Sequence, residues 1–160
     1  MSHAAAALAK FEKLVGSEEG VGGWFAVDQD RIDLFADATL DHQFIHVDPE
    51  KAAKLSPYKV TIAHGFLTLS LIPHLGGMIP PSDPTAYQGL VMGVNYGLEK
   101  VRFPAPVKVG SKVRARRTLA AVERKAPNTL QLKHVTTIEI EGEDKPACVA
   151  ETLTRLVYSD

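Results

Sequence analysis

Little in this chain points to a secreted, membrane-bound or charge-driven protein. It has one cysteine, Cys148, so no internal disulfide can form and no C-x-x-C pair exists to hold zinc. That composition fits a reducing compartment, and we expect a cytoplasmic protein. Nowhere do ~20 apolar residues run together, as a membrane-spanning helix requires. The opening Met1 to Lys10 has an alanine run without a basic leader, so it does not read as a secretory signal. Eighteen basic against nineteen acidic side chains leave a formal charge of -1, which removes the summed field that draws proteins to nucleic acid or anionic membranes.

What remains is a chain of 160 residues with no repeat, low-complexity tract or long linker. That length suits one domain, and one of this size buries roughly two-thirds of the surface its unfolded chain exposes. We expect a core over residues 24–158, preceded by an extension over 1–23. Near Pro84 the hydrophobic period changes from helical to alternating, which predicts an α+β fold with its strands toward the C-terminus. Asp28 is placed to cap a helix from Gln29 to Ala38, and Asp48-Pro49-Glu50 to open another reaching Leu55. A helix of about 16 residues is expected from His64 to Ile79, apolar nearly all around and therefore enclosed, with a bend where Pro73 lacks an N–H. Strands are expected at Trp24–Val27, Gly93–Phe103, Lys112–Glu123, Thr129–Glu141 and Ala147–Tyr158. In the fourth of these, Leu130, Leu132, His134, Thr136, Ile138 and Ile140 share one face.

Two segments concentrate the chemistry. Asp41 and His46 stand five residues apart in the turn between two helices, ahead of Ile62-Ala63-His64-Gly65-Phe66-Leu67. A carboxylate and an imidazole can hold and deprotonate a water, and a glycine at a helix start lets a carbonyl approach bare backbone N–H groups. Each residue also has a plainer explanation. Asp41 could cap a turn, and Asp48 is what a helix start wants regardless of chemistry. His64 reads as structural beside the glycine, Ser70 as packing, and His42, His74 and His134 as one solvated turn residue and two packed ones. A metal site from Asp41, His42, His46 and Asp48 is disfavoured, because ligands in so short a turn seldom converge. Lys112, Arg114 and Arg116 share a strand face that could meet phosphates, with Lys100 and Arg102 as equal candidates, although a solvated face is the simpler reading.

Together these segments resemble the MaoC-like dehydratases, the (R)-specific enoyl-CoA hydratase group, and within it the NodN-like branch. The resemblance rests on Phe35-Ala36-Asp37-Ala38-Thr39, Asp41-x4-His46-x-Asp48, Ile62 to Leu67, Asn95-Tyr96-Gly97 and Lys100 to Val107. It reaches from about Trp24 to Tyr158. Gln43 and Phe44 depart from the Asn and Pro that the family pattern places there, which bears on acyl preference and not on reaction type. The resemblance implies a hot-dog fold, an antiparallel curved sheet wrapped around one long buried helix. It implies reversible hydration of trans-2-enoyl thioesters by Asp41 and His46, with Gly65 supplying a backbone donor. No separate cofactor or metal is required, since coenzyme A is part of the substrate. It also implies a homodimer joined edge to edge. The alternatives are a hot-dog thioesterase, which would usually carry an acid in the long helix where Phe66 to Ile79 has none, and a non-catalytic acyl-binding module.

Overall fold

Strands occupy almost everything beyond residue 89. The computed structural model describes residues 1–159. In chain order these form α1 (His3–Leu14), β1 (Glu18–Val21), β2 (Phe25–Ala26), α2 (Gln29–Thr39), α3 (Phe44–Val47), α4 (Pro49–Leu55), α5 (Gly65–Ser70) and α6 (Ile72–Gly77). A 3-10 turn at Pro84–Tyr87 then leads to β3 (Leu90–Arg102), β4 (Lys112–Ala126), β5 (Thr129–Ile140) and β6 (Cys148–Tyr158). The expected strands are all present, with ends shifted by a few residues. The early one is reduced to two residues against β4.

The strands make one antiparallel sheet in the order β1-β4-β5-β6-β3, with β2 also on β4. Alternation in β5 sets its inner face, where Leu130, Leu132, His134, Thr136, Ile138 and Ile140 are all buried. Two apolar clusters cover that face. Ile138, Ile140, Val113 and Ala115 pack with Ile32 of α2 and with Leu67, Leu71 and Leu75 of the α5–α6 segment. At the other end, Leu119, Leu130, Leu132 and Leu156 pack with Ala4, Ala7 and Phe11 of α1.

The opening residues therefore join the same sheet. Ser2 caps α1 through its hydroxyl, which accepts from the Ala5 N–H at 3.3 Å. The alanines at positions 4 and 7 let the helix sit close, and burial of Phe11 contributes on the order of 2 kcal/mol.

One expectation needs correction. The helix from 64 to 79 is not continuous: it is two six-residue pieces joined at Leu71. Pro73 cannot donate to Leu69, which removes the bond that would carry an α-helix through this point. Nor is it enclosed on all sides, since Phe66 is 67% exposed. The path still crosses the inner face of the curved sheet, as the hot-dog arrangement requires.

Candidate active site

The site begins with a forced turn. α2, capped by Asp28 accepting from the Arg31 N–H at 3.0 Å, ends at Thr39, and Leu40 takes the left-handed conformation at φ 63°. A non-glycine residue there carries strain, and its effect is to redirect the chain so that Asp41 leaves the helix axis. Asp41 is half-exposed, with its side chain 53% accessible. Its Oδ1 lies 3.4 Å from the Gln43 N–H.

His46 sits on the single turn of α3 and is buried. Its Nδ1 is 2.7 Å from the Ile62 carbonyl, which can only accept. The ring must therefore donate from Nδ1, and this fixes the tautomer with a lone pair on Nε2. Burial pulls the imidazole pKa below its ordinary 6.5, with the neighbouring His64 adding to that and Ile62 and Asp41 opposing it. Gln29 braces the turn from behind. Its amide donates to the His46 carbonyl at 2.7 Å and to Asp33 at 2.8 Å, and its Oε1 accepts from the buried Thr61 hydroxyl at 2.5 Å. The Ile62 N–H in turn donates to the Ile45 carbonyl at 3.0 Å and the Ala63 N–H to the Val107 carbonyl at 2.8 Å, so the carbonyl that orients His46 is held on both sides.

His64 was expected to be structural, yet the structure puts it inside this group. Its ring stacks on His46 with centroids 3.8 Å apart and planes at 24°, and Phe35 lies 5.0 Å away on tilted planes. Nε2 donates to the Asp41 main-chain carbonyl at 2.9 Å, while Nδ1 is buried without a partner. Ligating atoms of Asp41, His46 and His64 all lie within 4.8 Å of one another. The two rings are nearly parallel, so one ion at ~2.0–2.1 Å could not lie in both ring planes, and the arrangement is poor for a tetrahedral metal. It suits a small molecule held by hydrogen bonds. One signal in the sequence pointed to His64: it immediately precedes the glycine, so it must share the space at the helix tip.

Gly65 opens α5, and its N–H makes no hydrogen bond among the described residues. A Cβ added there would meet the Phe103 ring at 3.0–3.2 Å, so any side chain at this position would have to push that ring aside. Because α5 has only six residues, its aligned dipole is short. The individual N–H groups matter more here than the macrodipole.

The other candidates separate cleanly. Asp48 caps α4, accepting from the Lys51 N–H at 2.9 Å, and His42 pairs with Asp37 at 2.8 Å on the surface. His74 meets the Phe25 ring edge-on at 4.7 Å, and the Ser70 hydroxyl donates to the Phe66 carbonyl. Arg114 and Arg116 both bind Glu139, at 2.7 and 2.8 Å, and Arg116 also binds Glu18. Lys112 lies 3.7 Å from Glu141. These bases are thus committed within the sheet, which agrees with the solvated-face reading. Lys100 faces Glu151 at 3.6 Å, and Arg102 bonds the Val101 carbonyl.

A curved antiparallel sheet over a broken helix is the hot-dog arrangement, and here a carboxylate and two imidazoles gather near the start of that helix. Residues 10–142 match the family model described as a MaoC like domain, and the chain belongs to the MaoC-like dehydratases. It is 50% identical over 142 residues to 3-hydroxyacyl-thioester dehydratase Z of Mycobacterium tuberculosis, covering 89% of this chain and 90% of that protein. It is 48% identical over 153 residues to nodulation protein N of Rhizobium leguminosarum bv. viciae, covering 94% and 91%. Among solved structures, the R-hydratase PhaJ1 of Pseudomonas aeruginosa superposes with a TM-score of 0.65 at 23% identity, over 91% of this chain and 83% of that one. This last likeness bears on fold.

Proposed function

We propose that the chain reversibly adds water to trans-2-enoyl thioesters, giving the (R)-3-hydroxyacyl thioester, with Asp41 and His46 as the pair that holds the water. The observation that carries this reading is the meeting of the Asp41 carboxylate with the His46 and His64 rings within 4.8 Å, His64 being the residue before the unbonded amide of Gly65. The water places one hydrogen toward the Asp41 carboxylate and the other toward the Nε2 lone pair of His46. As its oxygen bonds to C3, Asp41 takes the proton. The C2–C3 π electrons move onto C2 and the thioester oxygen. That oxygen rests against the Gly65 N–H, and the abstracted proton, exchanged through the pair, ends on C2. Each water atom is accounted for, and no redox partner is needed. Acid–base groups of this kind are worth roughly 10² to 10⁴ in rate. A neutral His46, as its burial favours, is the form that accepts.

The test follows enoyl absorbance and free thiol together on a short trans-2-enoyl-CoA. Loss of absorbance alone is hydration, and release of thiol would instead mean a thioesterase. Asp41→Asn and His46→Ala should each lower kcat by roughly 10² or more, and full activity in both would refute the assignment.

A homodimer belongs to the same proposal. β3 lies at the sheet edge with Val91, Met92, Val94, Tyr96 and Leu98 all exposed, from 45% to 65%. A long apolar edge of this kind needs covering, and a second copy pairing β3 to β3 would do so. Light scattering should give twice the chain mass, and a Val94→Lys variant should shift it toward the monomer.

A further inference from the structure

Asp41, the acid proposed to hold the water, lies on a turn that the rest of the fold barely grips. Residues 39–43 are all exposed, and Leu40 takes the left-handed conformation at φ 63°. Backbone in so sparsely populated a region persists only where the surroundings over-determine it. Among the described residues, a single hydrogen bond reaches residues 39–43 from beyond α2 and α3: His64 Nε2 donates to the Asp41 carbonyl at 2.9 Å. The other end of that bond is rigid. Just before His64, the Ile62 N–H donates to the Ile45 carbonyl at 3.0 Å and the Ala63 N–H to the Val107 carbonyl at 2.8 Å. Just after it α5 begins, with the Thr68 N–H on the His64 carbonyl at 3.2 Å. His64 is 3% exposed, and its ring stacks on His46 and lies against Phe35 of α2.

Two departures from local rules point to a task for this side chain. His64 occupies the cap position of α5, where Ser, Thr, Asp or Asn would bond the helix's early amides, and it makes no such bond. Its Nδ1 is buried without a partner, a cost that a phenylalanine of much the same shape would not carry. What histidine adds over a packing residue is the Nε2 donor, and that donor goes to Asp41.

We infer that His64 is a positioning residue: stacked on His46, it fixes the Asp41 backbone through its Nε2–H, so that carboxylate and imidazole meet on one water. The inference rests on the hydratase reading of Asp41 and His46. His64 Nε2 is 4.0 Å from Asp41 Oδ2, too far for a hydrogen bond, so its hold is on the main chain and leaves the carboxylate to the water. The two stacked rings carry opposite tautomers when neutral. Each faces a carbonyl that only accepts, which puts the proton on Nδ1 in His46 and on Nε2 in His64.

A pair of substitutions separates the donor from the stack. His64→Phe keeps an aromatic face against His46 and loses the donor, whereas His64→Gln loses the stack and brings an amide N–H close to where Nε2 stood. A misplacement of about 1 Å costs roughly 10²-fold, so His64→Phe should lower kcat on a short trans-2-enoyl-CoA by about that factor with KM nearly unchanged. His64→Gln should recover much of the loss. Amide exchange at Gln43, whose N–H lies 3.4 Å from Asp41 Oδ1, should quicken in His64→Phe and not in His64→Gln. In the wild type at about pH 8, above the ordinary imidazole range, long-range proton–nitrogen spectra should show His64 protonated at Nε2 beside a His46 protonated at Nδ1. Wild-type kcat in His64→Phe, or a His64→Gln no faster than His64→Phe, overturns the inference. So does a His64 protonated at Nδ1, which is read on the wild type whether or not either variant folds. If the wild type hydrates no enoyl thioester the proposed activity fails, and the His64 tautomer with the Gln43 exchange still decides the positioning.

Discussion

Replacing Gly65 by alanine separates packing from catalysis. The added methyl would lie 3.0, 3.1 and 3.2 Å from three ring carbons of Phe103, close enough that the ring must yield by a few tenths of an ångström. Phe103 is 42% exposed and meets Phe66 only edge-on at 6.3 Å, so it has room to move. Overpacking a tight core costs about 1–3 kcal/mol, and this half-open position belongs at the low end. Alanine returns up to ~1 kcal/mol over glycine in a helix, less at its first residue. The net change should therefore stay within ~1 kcal/mol, a shift of roughly 2–4 °C in Tm. Activity should respond much more. If the methyl denies the thioester oxygen its N–H donor, the loss is that of an oxyanion contact, about 10² to 10³ in kcat. Calorimetry and enoyl-CoA hydration on the same preparation measure both. Adding Phe103→Ala relieves the clash without removing the methyl, so the double variant should remain slow. Wild-type kcat in Gly65→Ala, or recovery in the double variant, would refute an oxyanion role for this amide.

Further outcomes follow from the groups around His46. Because burial lowers its pKa, the folded chain binds this proton less readily than the unfolded chain. Its contribution to stability is fully present above the ordinary 6.5 and is lost as pH falls through the lowered folded pKa. Chemical denaturation at pH 7.5 and at about 5 should cost the wild type more on acidification than it costs His46→Gln, and equal losses would contradict the burial argument. The acid limb of kcat/KM should likewise begin below 6.5. Gln29→Leu strips partners from the His46 carbonyl, Asp33 and Thr61 together. It should destabilise by about 1–3 kcal/mol and slow hydration, with thermal melts and the same assay as readouts.

Local rules carried most of the fold. Asp28 and Asp48 behave as caps because their oxygens reach the N–H groups three residues on, and that geometry depends on the neighbouring sequence alone. β5 was legible because alternation over twelve residues has one interpretation. The helix over 64–79 was harder. Its apolar content suggested enclosure, but content cannot tell a helix surrounded by its own sheet from one with a side left open, as Phe66 is. Nor could composition place the opening segment. The alanines of α1 acquire meaning only once Leu130 and Leu132 are known to lie opposite them, a pairing across more than a hundred residues.

The site divides along the same line. Asp41, His46 and Gly65 are singled out by spacing and resemblance, and the structure gathers the first two with His64, the residue that immediately precedes Gly65. His64 was set aside since a histidine next to a turn glycine is ordinarily structural. What alters its standing is a three-body geometry no spacing encodes: one ring nitrogen holds the Asp41 backbone, one face stacks on His46, and the other nitrogen is left without a partner. The stack also sets a limit on charge. Two imidazoles with centroids 3.8 Å apart repel if both are protonated, so His64 helps keep His46 neutral while fixing where Asp41 begins. One buried side chain thus positions both Asp41 and His46, the pair proposed to hold the water. That double duty follows from placing the histidine immediately before α5, the helix whose first amide is the proposed donor to the thioester oxygen.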